Sequence, residues 1–246
     1  MHERVSVSAV SSWQWSFDDD LAFWARAGIT QVGLSLRKCD EFGLDRAVAR
    51  VVDAGVRVSN FVECGSEPER WRAAAAVLAE LGGGALVLTT GPGVTLDWAA
   101  SVDRLATLLP PDRGCVAIEN TGPLRVDLSF ALTLRDTVDL AEQLDCGVCV
   151  EINSCWAERG LAATLARAAD RIAHVQISDW RVGSHCTPDR VVPGDGDIPL
   201  GRVISTIEAT GYRGVYEIEL VGPQIEAEGY EPTIRRAVAR VDELLG

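Results

Sequence analysis

Short apolar runs rich in β-branched residues alternate with longer amphipathic stretches along the whole 246-residue sequence. The short runs are predicted to be strands, and they cover residues 5–10, 31–36, 56–63, 85–89, 115–119, 147–151, 173–177 and 215–220. The amphipathic stretches predict helices near residues 18–27, 44–54, 67–81, 97–109, 129–144, 160–170, 200–210 and 231–245. Eight successive strand–helix units in a chain of this length match a minimal barrel of parallel strands surrounded by helices. The repeat therefore predicts a (β/α)8 barrel.

One pattern continues from the first unit to the last, with no linker or low-complexity segment between units. Residues 1–246 are therefore predicted to form a single α/β domain with the TIM-barrel architecture. The alternative is an open, doubly wound sheet, which usually carries a glycine-rich phosphate loop after an early strand. The nearest candidate, Gly82-Gly83-Gly84, precedes a strand instead of following one, so the barrel is preferred.

Helix start signals support this division of the chain. Ser66 is followed three residues later by Glu69, which is a capping-box pattern, and Pro68 suits the first turn of the same helix. Asp127 precedes the fifth predicted helix and is predicted to cap it.

The charge and apolar content of the sequence exclude two classes of partner. The chain has 36 Asp and Glu against 23 Lys and Arg, a formal net charge of −13 and a pI of about 4.7, so no nucleic-acid partner is expected. No apolar run approaches the roughly 20 residues of a membrane span, and no signal peptide is recognised. We therefore expect a cytoplasmic protein without a membrane partner.

The seven cysteines are scattered and odd in number, unlike a secreted disulfide framework. Cys146 and Cys149 form the one C-x-x-C pair, and no second pair completes a zinc site. These two residues are predicted to be small, buried side chains on a strand.

Polar residues follow the apolar part of each of the last four predicted strands. Glu119 ends the fifth, Glu151 the sixth and Glu219 the eighth, and the seventh contains Gln176. The carboxyl ends of barrel strands meet at one face, so these side chains should crowd together. Because crowded carboxylates raise each other's pKa unless a cation intervenes, the pattern favours a metal. Three carboxylates and an amide oxygen suit Mn²⁺ or Mg²⁺.

Two further groups of residues have predicted positions. Trp13 and Trp15 follow the first strand, Trp156 the sixth and Trp180 the seventh, which suggests a pocket for a sugar ring, a cyclic polyol or an aromatic aglycone. His174 and Glu217 lie two residues before Gln176 and Glu219, and alternation along the strand places both inside the barrel. These two side chains are predicted to hydrogen-bond to each other, because buried polar groups need partners.

The segment Asp189-Arg190-x-x-Pro193-Gly194-Asp-Gly196-Asp-Ile198, together with the strand-end residues, resembles a known family. It is similar to the xylose isomerase-like barrels of sugar phosphate isomerases and epimerases, which include ketose 3-epimerases, hydroxypyruvate isomerases and inosose dehydratases. The resemblance implies carbohydrate chemistry at a divalent metal. It assigns the metal to the positions Glu119, Glu151, Gln176 and Glu219.

Two positions depart from the pattern of that family. The usual Asp-x-x-His reads Glu151-Ile-Asn-Ser154, so a hydroxyl stands where the family has a substrate-facing His. The resemblance implies a His ligand on the seventh strand, or a Gln in some members. Gln176 lacks the imidazole and offers a weaker amide oxygen, which predicts reduced metal affinity or none. Asp179, in the seventh loop, is predicted either to orient Gln176 or the substrate or to pair with Arg181 or Arg190. Arg181, in the same loop, is predicted to lie near the substrate.

The resemblance implies a proton-transfer reaction on a small, sugar-like hydroxyketone. Glu119 and Glu219 are expected to act by turns as base and acid through an enediolate, while Glu151 and Gln176 hold the metal. Isomerase or epimerase activity is the first hypothesis. A dehydratase, lyase or C-glycoside-cleaving enzyme on the same barrel, and a metal-free, non-catalytic binding subunit, are the alternatives. The sequence leaves the substrate and homo-oligomerisation open.

Overall fold

Eight parallel strands pair in chain order and close on themselves, with β8 hydrogen-bonded to β1. This arrangement comes from a computed structural model that describes residues 1–65, 67–93, 97–184 and 186–246. The strands are β1 (Val5–Ser8), β2 (Gln31–Ser35), β3 (Arg57–Glu63), β4 (Ala85–Leu88), β5 (Val116–Glu119), β6 (Gly147–Glu151), β7 (Ile172–Ile177) and β8 (Tyr216–Ile218). The predicted (β/α)8 TIM barrel is therefore confirmed.

A helix follows each strand and covers the outside of the barrel. The main helices are Phe17–Ala27, Leu44–Asp53, Pro68–Glu80, Trp98–Leu108, Leu134–Leu144, Leu161–Arg167, Leu200–Glu208 and Tyr230–Leu245. Shorter helices at Leu36–Cys39, Ile152–Cys155 and Pro223–Glu228, and 3-10 turns at Ala9–Ser12 and Ala169–Arg171, were not predicted. Among the described residues, no helix combines the length and the apolar character needed to cross a bilayer.

The helix caps partly match the predictions. Pro68 is the first residue of its helix, as predicted, whereas the predicted cap at Ser66 lies outside the described residues. The predicted cap Asp127 is wrong, because the helix begins only at Leu134. Thr133 caps it instead, in a capping box with Asp136.

Side chains divide between two layers on either side of the sheet. Large apolar side chains such as Phe61 and Tyr216 point outwards and pack with the helices in the main core. Small ones point inwards, where a separate cluster contains Val62, Ala85, Val87, Ala117 and Cys149. This alternation follows the two-residue period of a strand. Small interior residues leave space inside the barrel for longer polar side chains from β7 and β8.

The cysteines are all free thiols. Cys146 and Cys149 are both buried, at the start of β6 and within it, as predicted. Their burial in apolar surroundings raises the pKa of each thiol, so neither is an activated nucleophile.

Candidate active site

Glutamates stand at the ends of three strands on one rim of the barrel. Glu119 is the last residue of β5, Glu151 is the last residue of β6, and Glu219 directly follows β8. Gln176 lies on β7, in register with Glu151 on one side and Glu217 on the other. Glu119 and Glu219 are each 7% exposed, and Glu151 and Gln176 are fully buried. The barrel thus buries three carboxyl groups and one amide at the same rim.

Arg190 reaches into this group of acids from the loop that follows β7. Its Nη2 lies 2.8 Å from Glu151 Oε2, and its Nη1 lies 3.0 Å from Glu219 Oε1. Nη1 also donates to the backbone carbonyl of Glu219 at 3.2 Å. The side chain is only 12% exposed. Arg190 therefore supplies a buried positive charge to two of the three carboxyl groups.

From the sequence, Arg190 was considered only as an ion-pair partner of Asp179, and its contacts with the strand-end acids were not predicted. Its backbone N–H donates to the Val221 carbonyl at 2.9 Å, which ties the loop after β7 to the loop after β8. The signal that could have found it is the charge balance. Three buried carboxyl groups require a counter-charge, and Arg190 is a cation inside the motif that returns to the same rim.

Gln176 is oriented by hydrogen bonds at both ends of its amide. Its Nε2 donates to Glu219 Oε2 and, at 3.4 Å, to Glu217 Oε2. Its Oε1 accepts from the Cys149 thiol at 3.4 Å. The amide therefore presents N–H groups, and not its oxygen, to the carboxyl groups.

Burial and mutual repulsion shift the titration of the three glutamates. Burial raises the pKa of Glu119 well above its usual range, and the nearby Glu219 and Glu151 raise it further. Burial raises the pKa of Glu151 to about 7 although Arg190 opposes the shift. The pKa of Glu219 is also raised by burial, again against Arg190. The cluster can therefore hold exchangeable protons near neutral pH, as general acid–base chemistry requires.

A pocket of about 320 Å³ opens above the ends of β5, β6 and β7. Trp156 and Trp180 line it, together with Ser154 and the exposed Leu124. Arg190 also lines the pocket and forms ion pairs with Glu151 and Glu219, whereas none of the three glutamates is among the described residues that line it. The predicted positions of Ser154 and Trp156 on a pocket wall agree with this arrangement.

Three of the residues predicted to contact the substrate lie away from this pocket. Trp13 is 48% exposed, and its Nε1 donates to Glu226 at 2.9 Å. Trp15 packs edge-on against the aromatic rings of Phe23 and Tyr230. The Nε of Arg181 donates to the Asp195 carbonyl at 2.9 Å, and this side chain is also exposed. The predicted four-tryptophan wall therefore consists of two tryptophans here, because position in a top-face loop does not fix which way a side chain points.

Asp179, the fourth such residue, is a loop anchor. Its Oδ1 accepts from the N–H groups of Trp180 and Ile198 at 2.8 and 3.0 Å, and its Oδ2 from those of Gly194 and Gly196 at 2.8 and 3.2 Å. A Cβ on Gly196 would lie 2.3 Å from Oδ1, so the loop requires glycine there. With about four lone pairs in use, the carboxylate has none left for a substrate. The Asp179 carboxylate therefore holds the loop after β7 in place.

The predicted pairing of His174 with Glu217 is confirmed inside the barrel. His174 Nε2 lies 3.0 Å from Glu217 Oε2, and both side chains are buried. The network extends further than predicted, since Asn60 Nδ2 donates to Glu217 Oε1 at 3.1 Å. Glu217 therefore lies between this interior network and Gln176.

Comparison with known proteins places this geometry in a family. A family model for the xylose isomerase-like TIM barrel matches residues 25–242. The chain belongs to this family. The resemblance inferred from the sequence is thereby confirmed. None of the curated proteins compared with the chain matches it significantly.

Solved structures share the whole barrel with this family member. Protein SMc04130 from Sinorhizobium meliloti 1021 is 25% identical, with a TM-score of 0.85 and 98% of each chain covered. A D-allulose 3-epimerase from a Methylomonas species is 18% identical, with a TM-score of 0.69, over 98% of this chain and 97% of its own. The IolI protein, solved with a zinc atom, is 17% identical, with a TM-score of 0.74, over the same two fractions.

The IolI structure, which shares this fold, contains a zinc atom. A glutamine binds a cation through its amide oxygen, but Gln176 turns that oxygen to Cys149 and its NH2 group to two carboxyl groups. Within the described part of the chain, no three His, Cys, Asp or Glu side chains are grouped as metal ligands. The residues predicted to bind Mn²⁺ or Mg²⁺ therefore do not fit that ion in this arrangement.

Proposed function

We propose that this protein catalyses isomerisation or epimerisation of a small, sugar-like or cyclic hydroxycarbonyl compound. The observation that carries the proposal is the pair Glu119 and Glu219, two buried carboxyl groups with raised pKa values beside Arg190. Carboxyl groups whose pKa values lie nearer neutral pH are suited to exchange protons with carbon acids. Membership of a family that contains an epimerase supports the same class of reaction.

Each residue of the cluster has a defined role in this proposal. One of Glu119 and Glu219 removes the proton next to the carbonyl group, and the other delivers a proton to the enediolate that results. Arg190 stabilises the negative charge that develops on the substrate oxygens, because its guanidinium is fixed and partly removed from water. Glu151 holds Arg190 in place, and its other oxygen, Oε1, accepts from the Asn153 N–H at 2.8 Å.

The pocket sets the kind of substrate that can reach these groups. A volume of about 320 Å³ lies at the lower end of small-molecule sites, which suits a compound with one ring. The faces of Trp156 and Trp180 favour the apolar face of a sugar or cyclic polyol, and the Ser154 hydroxyl offers a hydrogen bond. The Mn²⁺ or Mg²⁺ ion predicted from the sequence has no step in this proposal.

A screen of ketoses, inososes and keto-glycosides in heavy water tests the proposed reaction. The expected result is a product with the same composition as the substrate, apart from deuterium at the carbon next to the carbonyl group. An unsaturated product, formed by loss of water or of an aglycone, would instead assign the acids to elimination. Tight binding of a screened compound with neither exchange nor conversion would support the non-catalytic binding subunit and refute the proposal.

A further inference from the structure

The amide of Gln176 is held in one orientation by hydrogen bonds at both ends. Turning the amide over would place its oxygen against Glu219 Oε2 and Glu217 Oε2, two acceptors that now receive its N–H groups. The turn would also remove the acceptor of the Cys149 thiol. A metal ligand at this position needs the oxygen turned towards the acids, which is the orientation these contacts oppose.

The interior network fixes Glu217 and therefore fixes Gln176. Both oxygens of Glu217 have hydrogen-bond partners. Asn60 Nδ2 donates to Oε1 at 3.1 Å, and His174 Nε2 lies 3.0 Å from Oε2. Glu217 fits only because residue 33 is glycine, since a Cβ on Gly33 would lie 1.8 Å from Glu217 Oε1. The carboxylate cannot move away from Gln176 without leaving these partners.

Two of the three carboxyl groups already have partners at both oxygens. Glu151 Oε2 forms an ion pair with Arg190 without hydrogen-bond geometry, and its Oε1 accepts from the Asn153 N–H. Glu219 uses Oε1 for Arg190 and Oε2 for Gln176. A divalent cation would have to displace these donors and would be repelled by the guanidinium, and repulsion between charges is strong at a buried site.

We propose that Arg190 takes the place of a divalent metal in this member of the family, with Gln176 serving as a hydrogen-bond donor beside it. Glu151 and Glu219 then bind a guanidinium of the protein itself instead of a metal ion. The claim that Arg190 stabilises a reacting oxygen rests on the proposed function, whereas the claim about metal binding does not.

The test is the metal content and metal response of the whole protein, purified without an affinity tag. Elemental analysis is expected to find no stoichiometric metal, and millimolar Mn²⁺, Mg²⁺ or Zn²⁺ is expected to leave the melting temperature unchanged. About one metal ion per chain, or a melting temperature that rises with added metal, would overturn the proposal.

A variant that reverses the proposed substitution provides the positive control. Gln176→His with Arg190→Met supplies an imidazole ligand and removes the guanidinium, so this protein is expected to bind Mn²⁺ or Zn²⁺ and to melt at a higher temperature with it. If this double variant does not fold, Gln176→His with Arg190→Gln, which keeps a polar side chain at position 190, tests the same point through isothermal titration with the metal. A folded double variant that binds no metal would show that Arg190 and Gln176 are not what excludes the ion.

These outcomes are separable from those of the substrate screen. A metal-free protein that exchanges no deuterium contradicts the proposed function and leaves this inference standing. A protein that binds metal and does exchange deuterium contradicts this inference and leaves the proposed function standing.

Discussion

Replacing Glu151 by glutamine should change how the stability of the protein depends on pH. Burial raises the pKa of this carboxyl group from 4.5 to about 7 in the folded protein. Between these two values the folded state keeps a proton that the unfolded state has released, so the free energy of unfolding falls as pH rises. The difference from 4.5 to about 7, at about 1.4 kcal/mol for each pKa unit, corresponds to about 3–4 kcal/mol.

The measurement is urea denaturation of wild type and Glu151→Gln at several pH values from 4 to 8. We expect the difference in stability between wild type and Glu151→Gln to change by about 3–4 kcal/mol between pH 4 and pH 8, with the wild type losing more as pH rises. Glu243→Gln, on the surface of the last helix, is the matched control and should follow the wild type. Parallel curves for wild type and Glu151→Gln would show that folding does not raise the pKa of Glu151 and would refute the reasoning.

Three further substitutions test the groups that hold the site. His174→Ala should destabilise the protein by about 1–3 kcal/mol in urea denaturation, because Glu217 loses a buried partner; an unchanged midpoint would contradict the pairing. Gly33→Ala should lower the free energy of unfolding by at least about 1–3 kcal/mol, because the new methyl group would clash with the Glu217 carboxylate. Wild-type stability of this variant would show that Glu217 lies elsewhere. Asp179→Asn should increase hydrogen–deuterium exchange at the N–H groups of Gly194, Gly196 and Ile198. The reason is that an amide has one acceptor oxygen, whereas the carboxylate has two. Unchanged protection of these N–H groups would contradict the role of Asp179 as a loop anchor.

The fold could be predicted closely because the barrel is encoded locally. Each strand is a short β-branched run, and the observed strands begin and end within two residues of the predicted ones. The fifth helix was predicted to begin at 129, but it begins at Leu134. The reason is that residues 129–131 make tertiary contacts, such as the hydrogen bond of Ser129 with Thr90, which local periodicity does not reveal.

The candidate site could be predicted only in part. The positions of its glutamates follow from the strands that carry them, whereas the position of Arg190 follows from tertiary contacts of a loop. Glu119, Glu151 and Glu219 follow from one rule, because the carboxyl ends of parallel strands meet at one rim. The position of Arg190 depends on contacts between distant segments, including the bridge between Asp179 and Val191. Tertiary contacts also decide where Trp13 and Trp15 point. Both were predicted to line the pocket because of the loop they belong to, but Trp13 contacts Glu226 and Trp15 packs in an aromatic cluster.

The most direct test of the proposed chemistry is deuterium incorporation into recovered substrate, followed by NMR, for the wild type, Glu119→Gln and Glu219→Gln. Glutamine keeps the size of each side chain but cannot take up or release a proton near neutral pH. We predict that each variant still binds the substrate and loses deuterium incorporation by about 10²-fold or more, while Glu243→Gln matches the wild type. Incorporation by Glu219→Gln at the wild-type rate would contradict the assignment of the eighth-strand glutamate as a catalytic acid and base.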